Sequence, residues 1–451
     1  MDPAARRLTL LPLAAATFFV VSGGPYGLEE IVLGHGYGRT VALLGVLPLL
    51  WSLPVALMVG ELASALPRTG GYYVWVRRAL GPFWGLQQAW LSLSFNVFDL
   101  AIYPVLFATY LAHLWPALGR TGMGEPGWLL AVGMIAACTA WNALGVRAVG
   151  RGAEAIGALL LAPFAVMVAV AVASGEAGLD RLRESLLAAP PDSAGSAWVA
   201  GLLVAMWNTQ GWDGVSTVAG EVERPERTYP RAMLLTVVAV TLVYLLPVLA
   251  AASTGMPPAQ WAAGAWVEVG RRLGGRLLAL AIVLGGALSM VGMFTAILMA
   301  WSRLLVALSQ DGWLPATFSR RSRRTGAPIS ALLVGALFCA AVAGLGLRRL
   351  VEIDVLLYGA GLTLEFVALV VLRLREPDLP RPFRVPGGLA GVVALGLAPT
   401  LLLAAAAWQA RDEPGMAGLT AVQLAGLAAV AGPIWYLARG RAATAAEPGE
   451  R

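Results

Sequence analysis

Glu29, Glu30, Asp99, Asp213, Glu221 and Glu365 fall in or at the ends of long apolar runs, and no basic residue stands near the centre of any such run. A charged side chain inside a bilayer costs about 2.5–3.5 kcal/mol on insertion scales, which makes each of these acids a functional candidate. With no basic neighbour in the runs, a positive species must neutralise them: a proton, an inorganic cation or an amine substrate. The charge sign of whatever these acids meet therefore follows before its identity.

Two of the runs are interrupted. The first is broken by Ser22-Gly23-Gly24-Pro25-Tyr26-Gly27 and the sixth around Asn208-Thr209-Gln210-Gly211, five spans later, as in two structural halves of five helices each. Gly and Pro are common in membrane helices anyway, as Pro48, Pro54, Pro104, Pro163 and Pro247 illustrate. A Gly-Gly-Pro run matched by a second break at the corresponding place is the stronger pattern, and it points to a transport site. A broken helix exposes backbone N–H and C=O groups, tolerated at membrane depth only where they line a cavity or bind something. Glycine supplies the freedom to turn, and Pro25 is expected to start the second half-helix, where its missing N–H is not needed.

These acids and breaks must be positioned by membrane helices, because little else fits. Of the 451 residues, 58% are hydrophobic and 13% charged, with a mean hydropathy of +0.73; soluble domains carry about a quarter charged residues. At roughly 20 apolar residues per span, the chain has room for about twelve helices and no sizeable soluble domain. All 32 basic residues are Arg. The net charge of +6 comes from Arg-rich loops and does not imply a nucleic-acid partner. Cys138 and Cys339 lie inside apolar runs and His35 and His113 near span ends, which argues against a disulfide or a metal cluster. The amino-terminal apolar run lacks a cleavage site and is read as a retained first helix.

The expected organisation is a terminal segment 1–9, a first repeat 10–175, a second repeat 195–373, two further spans within 389–438 and a tail 439–451. The tenth span is expected at 354–372. With both termini in the cytoplasm, 22 of the 32 Arg residues fall in inside segments, the orientation that basic residues favour. The multi-pass protein would reside in the cell membrane, with the lipid bilayer as its surroundings.

The run Ser22 to Glu30, SGGPYGLEE, resembles the first-helix motif of the amino acid–polyamine–organocation superfamily. More narrowly it is similar to the polyamine-uptake branch of plants and protozoa, next to the L-type amino acid transporters. Several segments agree: Glu61 to Trp75 after helix 2, Asp99 to Phe107 in helix 3, Trp207-Asn208 with Trp212-Asp213, Ala219 to Pro225, Leu364-Glu365-Phe366, and Pro377 to Pro386. The resemblance runs from helix 1 through the loop after helix 10. It implies an all-α, polytopic, five-plus-five inverted-repeat (LeuT-like) fold with broken helices 1 and 6. Substrate would bind between helices 1, 3, 6, 8 and 10, with alternating access by a bundle rocking on a scaffold.

On this reading the substrate site comprises Ser22, Gly23, Gly24, Tyr26, Glu29, Asp99, Tyr103, Trp207, Asn208, Gln210, Trp212 and Asp213. The first half of helix 6 ends in free carbonyls that suit an ammonium; the half-helix at Pro25 offers N–H groups that suit a carboxylate. A polyamine has no carboxylate, so acids take over: Glu29, Asp99 and Asp213 are more than a neutral amino acid needs. Tyr26, Tyr103, Trp207 and Trp212 could add cation–π contacts. The alternatives are plain: Asp213 could cap the second half-helix, Asp99 could be a buried hydrogen-bonded partner, Glu29 could be local helix electrostatics, and the aromatics could be ordinary packing. Glu30, Glu61, Glu221 and Glu365 are gate or proton candidates, Glu61 and Glu221 reading mainly as inside-gate partners of loop Arg residues. Tyr72 to Trp75 resembles a reentrant segment.

The function expected is secondary active transport of polyamines or related cationic amines, with a proton as coupling ion; sodium coupling through Ser289 is the other option. An L-type or cationic amino acid permease is the alternative within transport. An ion channel fits paired half-helices less well. An enzyme lacks any metal cluster, nucleophile motif or phosphate loop, and no cofactor is implied.

Overall fold

Apolar residues on every side of a helix leave no polar face to turn to water, and within a bilayer a helix satisfies its own backbone. Among the described residues every regular element is a helix. The computed structural model describes residues 8–68, 70–188, 195–411 and 418–443. In order the helices are α1 (Leu10–Val21), α2 (Glu29–Leu47), α3 (Leu53–Ala65), α4 (Gly71–Leu80), α5 (Pro82–Leu111), α6 (Pro126–Ala143), α7 (Val146–Ala173), α8 (Glu176–Leu187), α9 (Gly195–Trp207), α10 (Pro225–Ala252), α11 (Trp266–Gln310), α12 (Ile329–Val342), α13 (Leu347–Arg375), α14 (Gly388–Ala410) and α15 (Ala421–Ala443). Among the described residues seven stretches are long and apolar enough to cross a membrane, or eight if one bent pair counts as a single span. Residues 1–7 and 444–451, most of the two terminal segments, lie outside the described residues.

Length alone reveals hidden turns. Glu29–Ala65 is continuous over 37 residues, which at 1.5 Å per residue would reach roughly 55 Å, well beyond a hydrocarbon core of about 30 Å. Gly36, at φ 69° and ψ 173°, kinks this path. Gly275, at φ 67°, does the same within α11.

Between α1 and α2, residues 22–28 are not helical, and Gly24 and Gly27 take φ of 83° and 92°. After α9, residues 208–213 are not helical either; Gly211 sits at φ 91° before a 3₁₀ turn over Gly214–Glu221. Pro25 does not open the following helix as expected. Its carbonyl accepts the Leu28 N–H at 3.3 Å and the Trp266 Nε1–H at 2.9 Å, so a tight turn intervenes and α2 starts at Glu29. A second difference concerns α13, which begins at Leu347 rather than at 354. Arg348 and Glu352 pair at 2.9 Å, four residues apart, so the charges that mark an end in the sequence sit inside the first turns of the helix.

At the centre α5 and α13 run antiparallel. Gln88 meets Glu365 at 2.8 Å, and Phe95 packs edge-on against Tyr358 at 5.2 Å between ring centroids. Around them α11 packs on α5 and α7, α10 on α1 and α3, and α2 on α9. Only 17% of the apolar windows of α14 and α15 are buried, which makes these two helices peripheral.

Gly27 shows how tightly the 22–28 segment is fitted: a Cβ there would lie 2.8 Å from the Trp207 ring, at a backbone φ of 92°. Gly27→Ala is expected to destabilise the protein by about 1–3 kcal/mol, read as a lower melting temperature of the detergent-solubilised chain than Gly45→Ala, whose Cβ would meet nothing within 4 Å.

Candidate functional site

The facing stripes of α5 and α13 carry the acids. Asp354, Tyr358 and Glu365 recur at helical spacing on one face of α13, as Gln88, Phe95, Asp99 and Tyr103 do on α5. Opposite registers then bring Asp99 within electrostatic reach of Asp354. The non-helical segment 208–213 closes the third side. Its Gln210 Nε2 donates to Asp354, and Tyr358 Oη donates to Asp213 at 2.8 Å while accepting the Gly211 N–H at 3.0 Å. Asp213 and Glu365 face each other within hydrogen-bonding range. Asp99 accepts from Tyr103 Oη at 3.2 Å and from Trp207 Nε1 at 3.0 Å. All four acids are more than nine-tenths buried, and among the described residues none of them forms an ion pair.

The two non-helical segments are stitched together by α10. Tyr244 Oη donates to the Asn208 carbonyl at 2.5 Å and exchanges a hydrogen bond with Ser22. The carbonyls at the end of α9 are not free, contrary to expectation. Ala205 accepts from Thr209 Oγ1 at 2.8 Å, and Thr209 accepts from Trp51 Nε1 at 3.1 Å and Trp212 Nε1 at 2.8 Å. Trp212 thereby serves as a capping donor. Asn208 bonds back to Val204 at 2.9 Å. In the first segment the Gly24 N–H is taken by Ser22 Oγ at 3.2 Å, and the Gly23 carbonyl accepts from Ser289 Oγ at 3.0 Å.

Glu29 and Tyr26 belong to a different level. Tyr110 Oη, the Gly27 N–H at 2.7 Å and the Gly264 N–H at 3.1 Å all donate to the Glu29 carboxylate. Tyr110 is 11 residues beyond Asp99 on α5, roughly 16 Å along the axis. Tyr26 donates to the Ile282 carbonyl at 3.1 Å and stacks edge-on with Tyr110 and Phe164. The N–H groups expected to meet a carboxylate are thus engaged by the chain's own Ser22 and Glu29.

The gate candidates separate as well. Glu61 is fully buried and tied to Arg373 at 2.5 Å, to Arg381 at 3.5 Å and to the Val385 N–H at 2.7 Å. Nearby, Arg78 bonds Glu376 at 2.6 Å and holds its carboxyl below the usual carboxylate range. Glu30 is half-buried and feels Arg348 and Glu352. The side chain of Glu221 lies outside the described residues.

Sequence reasoning missed Asp354, Tyr358, Gln88, Tyr110 and Tyr244. The signal for the first two was present: Asp354 and Tyr358 stand four residues apart and in phase with Glu365. The groove of about 350 Å³ between α6 and α12 is lined almost wholly by apolar residues and lies away from the acids.

A family model described as "Amino acid permease" matches residues 15–429. The chain is 39% identical over 409 residues to "Polyamine transporter PUT1" of Oryza sativa subsp. japonica, covering 90% of this chain and 74% of that one. It is 35% identical over 403 residues to "Polyamine transporter RMV1" of Arabidopsis thaliana, covering 88% and 79%. The crystal structure of MhsT in complex with L-phenylalanine superposes with a TM-score of 0.62 at 12% identity, over 90% of this chain and 99% of that one, a likeness of fold.

Tyr358→Phe leaves the Gly211 N–H and one side of Asp213 unpaired and is expected to cost about 1–3 kcal/mol, measured as a fall in melting temperature. Glu61→Gln removes the counter-charge of the largely buried Arg373 and Arg381 guanidinium groups and should cost about 3–5 kcal/mol. Loss of the exposed Arg78–Glu376 pair through Arg78→Gln should cost at most about 1 kcal/mol, and the same melting series ranks the three. The Glu376 carboxyl titrates low, so its small contribution is present at neutral pH and disappears as pH falls through that lowered pKa.

Proposed function

The chain belongs to the amino acid permease family, whose members are transporters rather than enzymes, and from that premise we propose that it carries polyamines or related cationic amines by alternating access. The observation that supports this most is a set of four buried carboxyls, Asp99, Asp354, Asp213 and Glu365, with no basic partner among the described residues. Carboxylates at membrane depth require a positive counterpart, and a cationic amine is one that can move through.

The level around Glu29 supports the same choice. An amino acid substrate brings its own carboxylate to N–H groups at a helix break; here Glu29 and Ser22 already accept from those groups. A substrate that is amine at every polar end needs no such place. In the proposed scheme twelve spans form two five-helix halves, with α1 and α9 the first halves of interrupted spans 1 and 6, and both termini cytoplasmic in a cell-membrane protein. The Glu61–Arg373–Arg381 cluster then ties the inner side.

Glu365 is the proposed proton carrier, with Asp213 beside it as an amine contact. Two carboxyls in hydrogen-bonding range share a proton more readily than they hold two charges. Tyr358, Tyr72 and Gln88 are the other polar side chains that touch or feel this pair.

Proteoliposomes loaded at neutral pH are expected to take up labelled spermidine or putrescine, faster when the outside is acidified. Unlabelled amines should compete and leucine should not. Competition by leucine alone would remove the polyamine assignment in favour of a neutral amino acid carrier. In Glu365→Gln the acid stimulation should flatten while spermidine still binds; an unchanged pH response would refute the proton role. Asp213→Asn is expected to weaken amine binding more than Glu365→Gln does, and equal losses would undo that division of labour.

A further inference from the structure

We propose that Asp354 and Gln210, together with Asp99, seat a single primary ammonium group where α5, α13 and the 208–213 segment meet. This deepens the transport reading above and rests on it.

Asp354 is fully buried on α13. One of its oxygens accepts from Gln210 Nε2; the other, Oδ1, has no hydrogen-bond partner, and neither has Gln210 Oε1. Gln210 is itself only 6% exposed. Two acceptors without donors therefore belong to side chains that are already bonded to each other, deep in the bundle. Native proteins rarely leave buried polar atoms unpaired, and an exception calls for a partner. Asp99 adds a second carboxylate within electrostatic reach, its orientation fixed by Tyr103 and Trp207. Every unfilled polar position at this point is an acceptor. The missing partner is a compact cation rich in donors.

The chemistry selects among cations. An ammonium offers three N–H donors, one each for Asp354 Oδ1, Gln210 Oε1 and an Asp99 oxygen. A guanidinium prefers both oxygens of one carboxylate in a parallel fork, and Gln210 already occupies the second oxygen of Asp354. A bare hard metal ion asks for a nearly complete oxygen shell, more than these groups provide. The Tyr103 and Trp207 rings, 6.3 Å apart between centroids, supply an apolar flank for the methylene chain behind the ammonium.

The test uses the full chain in lipid nanodiscs, with spermidine as the probe. Asp354→Asn is expected to raise the spermidine Kd roughly ten- to a hundred-fold. The same change removes a buried, uncompensated charge, so the ligand-free melting temperature should hold or rise, whereas a merely structural Asp354 would lower it. Gln210→Met, which deletes the free acceptor, should weaken binding several-fold, and Asp354→Glu should recover part of the loss. An unchanged Kd in folded Asp354→Asn overturns the seat while leaving wild-type amine transport standing. If that variant does not fold, an unchanged Kd in Gln210→Met overturns it instead. Displacement of spermidine by sodium chloride but not by choline chloride, lost in Asp354→Asn, would reassign the seat to a metal ion. A wild-type chain that binds no amine overturns both this seat and the transport reading beneath it.

Discussion

Four carboxyl groups gathered where α5, α13 and the 208–213 segment meet, inside a bundle wrapped in apolar surface, are the constraint from which the rest of the structure follows. Water cannot screen them there, and no arginine among the described residues reaches them. Hydrogen-bond donors from Tyr103, Trp207, Gln210, Tyr358 and Gln88 hold them in place. Donors fix their geometry without cancelling their charge. Under the proposed function a proton or an amine completes the electrostatics.

Those donors come from places that a continuous helix could not supply. Gln210 and Trp207 reach the acids because α9 stops and the chain turns through Gly211 at φ 91°. Helix ends leave backbone groups to be satisfied, and aromatic and hydroxyl side chains do so here: Tyr244, Trp51, Trp212 and Thr209 at segment 208–213, Trp266 and Ser22 at segment 22–28. Tyr244 lies against both segments. The breaks are thus reinforced by side chains rather than loosely open.

The buried acids fall into three physical kinds. Glu61 is neutralised by two arginines and holds helix ends together. Glu29 accepts from three donors, two of them backbone N–H groups, and organises the turn before α2. Among the described residues Asp99, Asp354, Asp213 and Glu365 have hydrogen-bond donors but no counter-charge. One residue type in one kind of apolar sequence is thus ion-paired, bonded to backbone N–H groups or left without counter-charge, according to what surrounds it.

Composition, run length and the placement of Gly and Pro were enough to give an all-helical membrane chain and to mark segments 22–28 and 208–213, which are not helical, because these depend on local backbone freedom and on transfer to lipid. The acids in apolar runs were visible for the same reason, and so was the arginine partnership of Glu61 in outline. Partner choice was not visible. Asp354 looked like the edge of a span, whereas the helix begins at Leu347 with the Arg348–Glu352 pair in its first turns, and the donation of Tyr110 and Gly264, far away in sequence, to Glu29 left no trace in the local pattern. Which carboxylate keeps an unanswered charge depends on contacts across 81 to more than 250 residues of chain, and local pattern carries no record of contacts made at that range.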